Sequence, residues 1–336
     1  MPIQGLTRFR RHQWGKQSSF SSNTTATRRM PWRGAIEVDP ARTDPDVDVG
    51  SLDPILAPFL GPQTVTAGME ITAFAYDDAP YFWASLVKGG VSPTGATTKT
   101  WTFQAASLTA DDFDYFTDEW GDDVTSDYII AGSGVADGGE IGFGDDLGVF
   151  TGSLDMIYAR AQLGTGPTGG LTVDDTPQWV YGAHTEVYLD SIYSSIGTTR
   201  IVDAVHGATV RITNNLDQKR FANGSNTAFQ LSGYGRGARE IEVELVLAKT
   251  TATVAEFVTL DDSPVPERYI ELRTTSPETI GGTSYSQSIR LPGHLISRSD
   301  GELGGNATVT LTYRGRYDSD LGYALRVVVV CGLASL

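Results

Sequence analysis

Strict alternation of apolar and polar residues is the strongest pattern along this chain. In Glu240-Ile241-Glu242-Val243-Glu244-Leu245-Val246-Leu247-Ala248 the apolar side chains fall on one side of a strand, and Glu240, Glu242 and Glu244 fall on the other. The next stretch, Thr251 to Thr259, sets Val254, Phe257 and Val258 at helical spacing, so a half-buried strand feeds a short helix. Further strands are predicted at residues 67–74, 101–104, 127–131, 149–161, 208–213, 268–274, 285–291, 307–313 and 323–330. Short helices are predicted at residues 80–87, with Pro80 in the first turn, and at residues 110–116.

Part of this pattern occurs twice. Ala208 to Thr213 echoes Ala67 to Thr72 at an offset of 141, and the strand and helix at 241–259 echo Trp101 to Thr117 at an offset of 142. A nearly constant offset points to a repeated unit. The expected organisation is a polar N-terminal arm over residues 1–57, a first β unit over 58–180 and a second over 181–336. Ser18 to Thr27 and the pairs Asp39-Pro40, Asp44-Pro45 and Asp53-Pro54 give the arm its extended, irregular character.

The chain has 336 residues, enough for two domains with real cores. Its 38 glycines and frequent turn residues agree with an all-β protein, and 25 basic against 41 acidic residues give a net charge of −16. That charge disfavours proteins that grip nucleic acid or anionic membranes. No run approaches the ~18 apolar residues of a membrane span, and Arg8, Arg10 and Arg11 are not followed by an apolar signal region. The single cysteine, Cys331, excludes an intrachain disulfide.

Catalytic patterns are missing: there is no Gly-x-Ser-x-Gly, no His-Glu-x-x-His and no phosphate loop. His12, His184, His206 and His294 are scattered without ligand spacing, so neither a cofactor nor a metal is expected, and the chain reads as a non-enzyme. Asp118, Glu119, Asp122, Asp123 and Asp127 read as a solvated acidic loop around Trp120, with cation binding as the alternative. Gly132 to Gly134 and Gly142 to Gly148 read as loops or hairpin tips.

The acidic alternating strand at Arg239 to Ala248, the short helix at Thr251 to Thr259, the closing apolar strand at Tyr323 to Val330 and the Tyr188 to Asn214 region together resemble the major tail tube proteins of viruses with long, non-contractile tails, which infect bacteria or archaea. The resemblance covers about residues 60–330. It implies an antiparallel β-sandwich or barrel with short flanking helices, duplicated in tandem, whose copies join sheet to sheet into rings that stack into a tube. A trimeric, pseudo-hexameric ring is favoured over a hexamer. The implied partners are further copies of the chain, tape-measure, terminator and distal tail proteins, and viral DNA that passes through without specific binding. The implied location is the virion tail, assembled in the host cytoplasm.

Glu240, Glu242 and Glu244 are the expected channel-lining residues, in a channel without an arginine or lysine track. Arg8, Arg10 and Arg11 with Asp44, Asp46 and Asp48 are candidates for contacts between rings or subunits. The alternative is another virion or cell-surface β-sandwich protein, such as an adhesin or receptor-binding protein. A glycan-active β-sandwich enzyme would need a carboxylate pair that no motif singles out.

Overall fold

The computed structural model describes residues 10–20, 22–39, 42–43, 58–105, 113–122, 127–164, 167–222, 230–256 and 265–336. The first half of the chain contains β1 (Arg11–Lys16), β2 (Arg28–Met30), β3 (Arg33–Asp39), β4 (Arg42–Thr43), β5 (Phe59–Leu60), β6 (Thr64–Ile71), α1 (Ala79–Leu86), β7 (Lys99–Gln104), β8 (Phe116–Asp122), β9 (Asp127–Phe143), β10 (Thr151–Tyr158) and β11 (Arg160–Leu163). The second contains β12 (Thr185–Asp190), β13 (Val205–Thr213), β14 (Leu216–Lys219), β15 (Gly233–Arg236), β16 (Glu240–Ala248), α2 (Thr251–Ala255), β17 (Arg268–Ile280), β18 (Thr283–Leu303), β19 (Asn306–Gly315) and β20 (Arg326–Cys331). The protein is mainly β, and every pairing between these strands is antiparallel.

Eight strands form one continuous sheet in the order β3-β6-β10-β9-β13-β16-β19-β18. Alternate residues of these strands, among them Met69, Leu154, Val210, Val243, Leu245 and Leu311, enter a single core that also holds Trp101, Phe103, Ile270, Leu272, Val327 and Val329 from the other layer. α1 is buried at every position, as a helix that is apolar all round must be. The result is a sandwich-like arrangement of packed β layers.

Two long strands build both layers. The C-terminal part of β9 pairs with β10 and β13, and its N-terminal part pairs with β8 and β11. β18 pairs with β17 and β20 over its first half and with β19 over its second. Each shifts register near its change of layer, β9 opposite Asp155/Met156 and β18 between Leu295 and Ser297, and such bulges bend a strand from one layer to the next.

The pairing order is the same in both halves: β1-β8-β9-β10-β6-β3 with β11 on β9, and β12-β17-β18-β19-β16-β13 with β20 on β18. Aligning the two bulges makes Ala35-Gly68-Asp155-Gly138 the counterpart of the row Thr209-Glu244-Thr312-Ser297. The same alignment superposes Asp118 on Glu271, and both side chains are fully buried. The correspondence differs from the offsets of 141 and 142, because the counterpart of β13 is β3 and that of β16 is β6. Those offsets matched strands of similar chemistry that occupy different places in the pairing order.

The N-terminal segment also departs from expectation. The arm expected over residues 1–57 is, across residues 10–39, part of the fold: Trp14 is fully buried, with Trp32 and Phe116 ring centroids 5.2 and 5.1 Å away. Polar composition concealed this, because β1 is held by side-chain hydrogen bonds. His12 Nδ1 lies 2.9 Å from Asp118 Oδ2, and the Tyr158 hydroxyl donates to the same oxygen at 2.9 Å. A fully buried carboxylate requires such partners. The expected acidic loop is therefore strand β8, whose Glu119 accepts from the backbone N–H groups of Ala26 and Thr168. Asp123 lies outside the described residues, and Asp127 begins β9.

The helix expected at 110–116 is not formed where the chain is described. Phe113 to Tyr115 are irregular and Phe116 opens β8, while residues 106–112 lie outside the described residues. The Asp114 carboxylate accepts from Gly90 N–H and pairs with Lys16, tertiary bonds that override helical spacing. The helix at 80–87 is α1, and that at 251–259 is α2 over its described part, with Thr250 and Thr253 forming a reciprocal cap. Gly132 to Gly134 and Gly142 lie inside β9, whereas residues 144–148 lie in the tip of the β9–β10 hairpin, as expected; a Cβ at Gly134 would meet the Tyr158 ring at 2.5 Å and one at Gly142 the Ala208 carbonyl at 2.3 Å.

Trp14→Ala should cost about 3–5 kcal/mol of unfolding free energy, read from urea denaturation. An unchanged midpoint would mean that β1 is not part of the cooperative core.

Candidate functional site

The solvent face of the eight-stranded sheet is the largest built feature that the core does not use. Its side chains follow from strand alternation: every second residue of β16 is buried, so Glu240, Glu242 and Glu244 point away from the core, as expected. The neighbouring strands present Thr209, Arg211 and Thr213 from β13 and Gly138, Glu140 and Gly142 from β9 on the same face. Thr151, Ser153 and Asp155 from β10, Gly68 and Glu70 from β6, and Thr310, Thr312 and Arg314 from β19 complete it. The surface is short-chained, hydroxyl-rich and acidic, and lysine is absent from the sequence of these strand segments.

One hydrogen-bonded row crosses all eight strands: Arg33-Glu70-Ser153-Glu140-Arg211-Glu242-Arg314-His294. Arg211 Nη2 lies 3.0 Å from Glu140 Oε2, and Arg314 Nη2 lies 2.9 Å from Glu242 Oε1. Arg33 stands in register opposite Glu70. Exposed pairs of this kind add ~0–1 kcal/mol each, so their main consequence is electrostatic: each arginine sits beside a carboxylate. Burial, followed by the charges of Arg316 and Arg314, holds the His294 pKa below its ordinary 6.5, which keeps the imidazole neutral at neutral pH. A face without an arginine or lysine track was expected, and three arginines, Arg33, Arg211 and Arg314, are present on it. They are spaced by carboxylates and do not form a continuous basic track.

A shallow depression of about 190 Å³ opens over Gly138 and Gly139, bordered by Asp137, Glu140, Asp155 and Arg211. Burial pushes the Asp155 carboxyl above its ordinary 3.8, and repulsion from Asp137 and Glu140 pushes it in the same direction. Among the described residues, no group of three or more metal-ligating side chains converges. No helix among them is long and apolar enough to cross a membrane.

The remaining candidates lie elsewhere. Arg10 stacks over the Trp120 ring at 5.2 Å, and Arg11 lies in β1 opposite Gly121. Arg8, Asp44, Asp46 and Asp48 lie outside the described residues. Sequence reasoning missed Glu70, Glu140 and Asp155 on the acidic face. Single carboxylates in strands rich in glycine and threonine show no local pattern, and only the pairing brings them together. No protein-family model matches the chain, and no curated protein matches it in sequence.

The raised Asp155 pKa makes a signed prediction. A carboxyl whose native pKa exceeds its unfolded value binds protons more tightly in the fold, so its contribution to stability falls as pH rises through the native pKa. Asp155→Asn should therefore raise the urea midpoint at pH 7, with the difference from the parent shrinking as pH falls through the native pKa and gone well below pH 3.8, where the carboxyl is protonated in both the folded and the unfolded chain.

Proposed function

We propose that the protein is a tube-forming structural subunit, a major tail tube protein of a long-tailed virus, whose eight-stranded face lines a channel for DNA. One observation carries the reading: a continuous antiparallel sheet turns a polar, lysine-free, net-acidic face to solvent, and the two halves of the chain build it by the same pairing order. A surface of this chemistry repels phosphate and offers duplex DNA no run of cations to grip. The matched pairing of the two halves supports a tandem duplication, each half supplying four strands of the face.

Register sets the diameter that a ring of a given number of copies would have. The row Ala35-Gly68-Asp155-Gly138 continues to Thr213, whereas the counterpart of Ala35 is Thr209, so the pattern slips by four residues for every four strands. At ~3.3 Å per residue and ~4.8 Å per strand this slip corresponds to a tilt of ~35°, which is within the range of closed barrels. Three copies make a barrel of about 24 strands and roughly 45 Å between opposing backbones, or about 35 Å once side chains cover both walls. Two copies leave about 20 Å, no more than the duplex itself. The trimer therefore fits a conduit and the dimer does not. The wider assembly belongs to the same proposal: rings stack into a virion tail built in the host cytoplasm, and other tail proteins meet its ends.

Electron microscopy of assembled protein should show threefold rings with pseudo-sixfold density in end-on views. Persistent monomers under assembly conditions would overturn the conduit and favour an adhesin-like role. In assembled tubes the parent should retain no duplex DNA, whereas the triple variant Glu240→Lys, Glu242→Lys, Glu244→Lys should retain it, with affinity falling as salt rises by a log–log slope of ~0.9 per phosphate contact. Equal retention by both would show that these side chains do not face DNA.

A further inference from the structure

The second layer carries a different charge pattern on its outward side. Val187, Leu272, Ile289, Val327 and Phe103 form one register row across β12, β17, β18, β20 and β7, and all five are in the core. The adjacent row, Tyr188-Glu271-Arg290-Arg326-Gln104, therefore projects from the opposite side of these strands. Arg290 and Arg326 are direct cross-strand neighbours in it, and like charges so placed repel. On the eight-stranded face each arginine sits beside a carboxylate, whereas here two arginines sit beside each other.

The carboxylates at hand do not balance this pair. Glu271 is fully buried and is engaged by Arg273, whose Nε and Nη2 lie 3.0 and 2.9 Å from its two oxygens, and by the Ser288 hydroxyl at 2.8 Å. Arg290 reaches it with Nη2 alone, at 3.2 Å. Arg326 has no carboxylate partner among the described residues. Glu186, on the next row, pairs with Arg200 at 2.8 Å, and Asp318 accepts from the Tyr269 hydroxyl and from the N–H groups of Asp320 and Leu321. Arg273, Arg290 and Arg326 against Glu271 leave an excess of two positive charges, in a chain whose net charge is −16. Burial raises the Tyr323 pKa above its ordinary 10.0, and the charges of both Arg290 and Arg326 oppose that rise, so the two guanidiniums act on one phenol.

We infer that Arg290 and Arg326 together seat a small, dissolved tetrahedral oxyanion of the sulfate or phosphate class. Guanidinium forks match the oxygens of such an ion through charge-assisted hydrogen bonds, and a dianion cancels the excess of two charges. The Nε atoms of both arginines are shut off from solvent without an acceptor, but 30% of the Arg290 side chain is exposed and Arg326 is half-buried, so the outer nitrogens can be reached. The seat belongs to the layer that does not carry the acidic face, and it stands whether or not the chain forms rings.

Inorganic sulfate is the probe. Added to the full chain at constant ionic strength in place of chloride, it should raise the thermal midpoint saturably, by roughly 2 °C at ten times the dissociation constant. Arg326→Gln should show only the shallow, unsaturated rise that sulfate gives proteins in general by exclusion from their surface. Equilibrium dialysis with labelled sulfate should count a single ion per parent chain, displaced by inorganic phosphate and not by chloride. Parallel sulfate responses of parent and variant would overturn the seat. Should the variant fail to fold, the dialysis count on the parent decides: a bound ion displaced by phosphate supports the seat, and no bound ion overturns it.

Discussion

The architecture depends on where backbone hydrogen bonds go when a strand outlasts its neighbours. β9 spans 17 residues and β18 spans 21, too long for one set of partners in a single layer. Each resolves this by changing partners along its length, with a bulge near the crossing. The two layers are therefore joined covalently and by hydrogen bonds at the same places. The polar face and the core are consequences of how these two strands turn.

Charge is treated differently on the two sides of the layers. Inside, Asp118 and Glu271 occupy counterpart positions and are fully buried, and each has specific partners: His12 and Tyr158 for one, Arg273, Arg290 and Ser288 for the other. The partners differ although the carboxylates correspond, so the constraint common to both halves is satisfaction of a buried charge and not a particular residue set. On the solvent face the carboxylates outnumber the arginines, and pairing there moderates the field more than it stabilises the fold.

The same register slip connects the fold to the assembly proposed for it. A flat, unslipped sheet could not close, whereas a slip of four residues per four strands is a tilt that a barrel uses. The junction between the two halves is made within the chain by β9 and β13.

Much of this was determined by sequence alone. The period-two alternation of β16, β13 and β19 specifies strands with a wet and a dry side whatever they pair with, so the mainly β class and the outward set of Glu240, Glu242 and Glu244 were legible without coordinates. Pro80 before an apolar run and the helical spacing after Thr251 likewise specify helices by local chemistry. Tertiary structure alone decided three matters. It drew β1 into the core through His12 and Asp118, residues 106 apart in sequence. It made a buried strand of the acidic segment Phe116–Asp122, because distant donors satisfy its carboxylates. It matched β3 with β13 and β6 with β16, since pairing order is a property of hydrogen bonds between distant segments and leaves no fixed spacing in the chain.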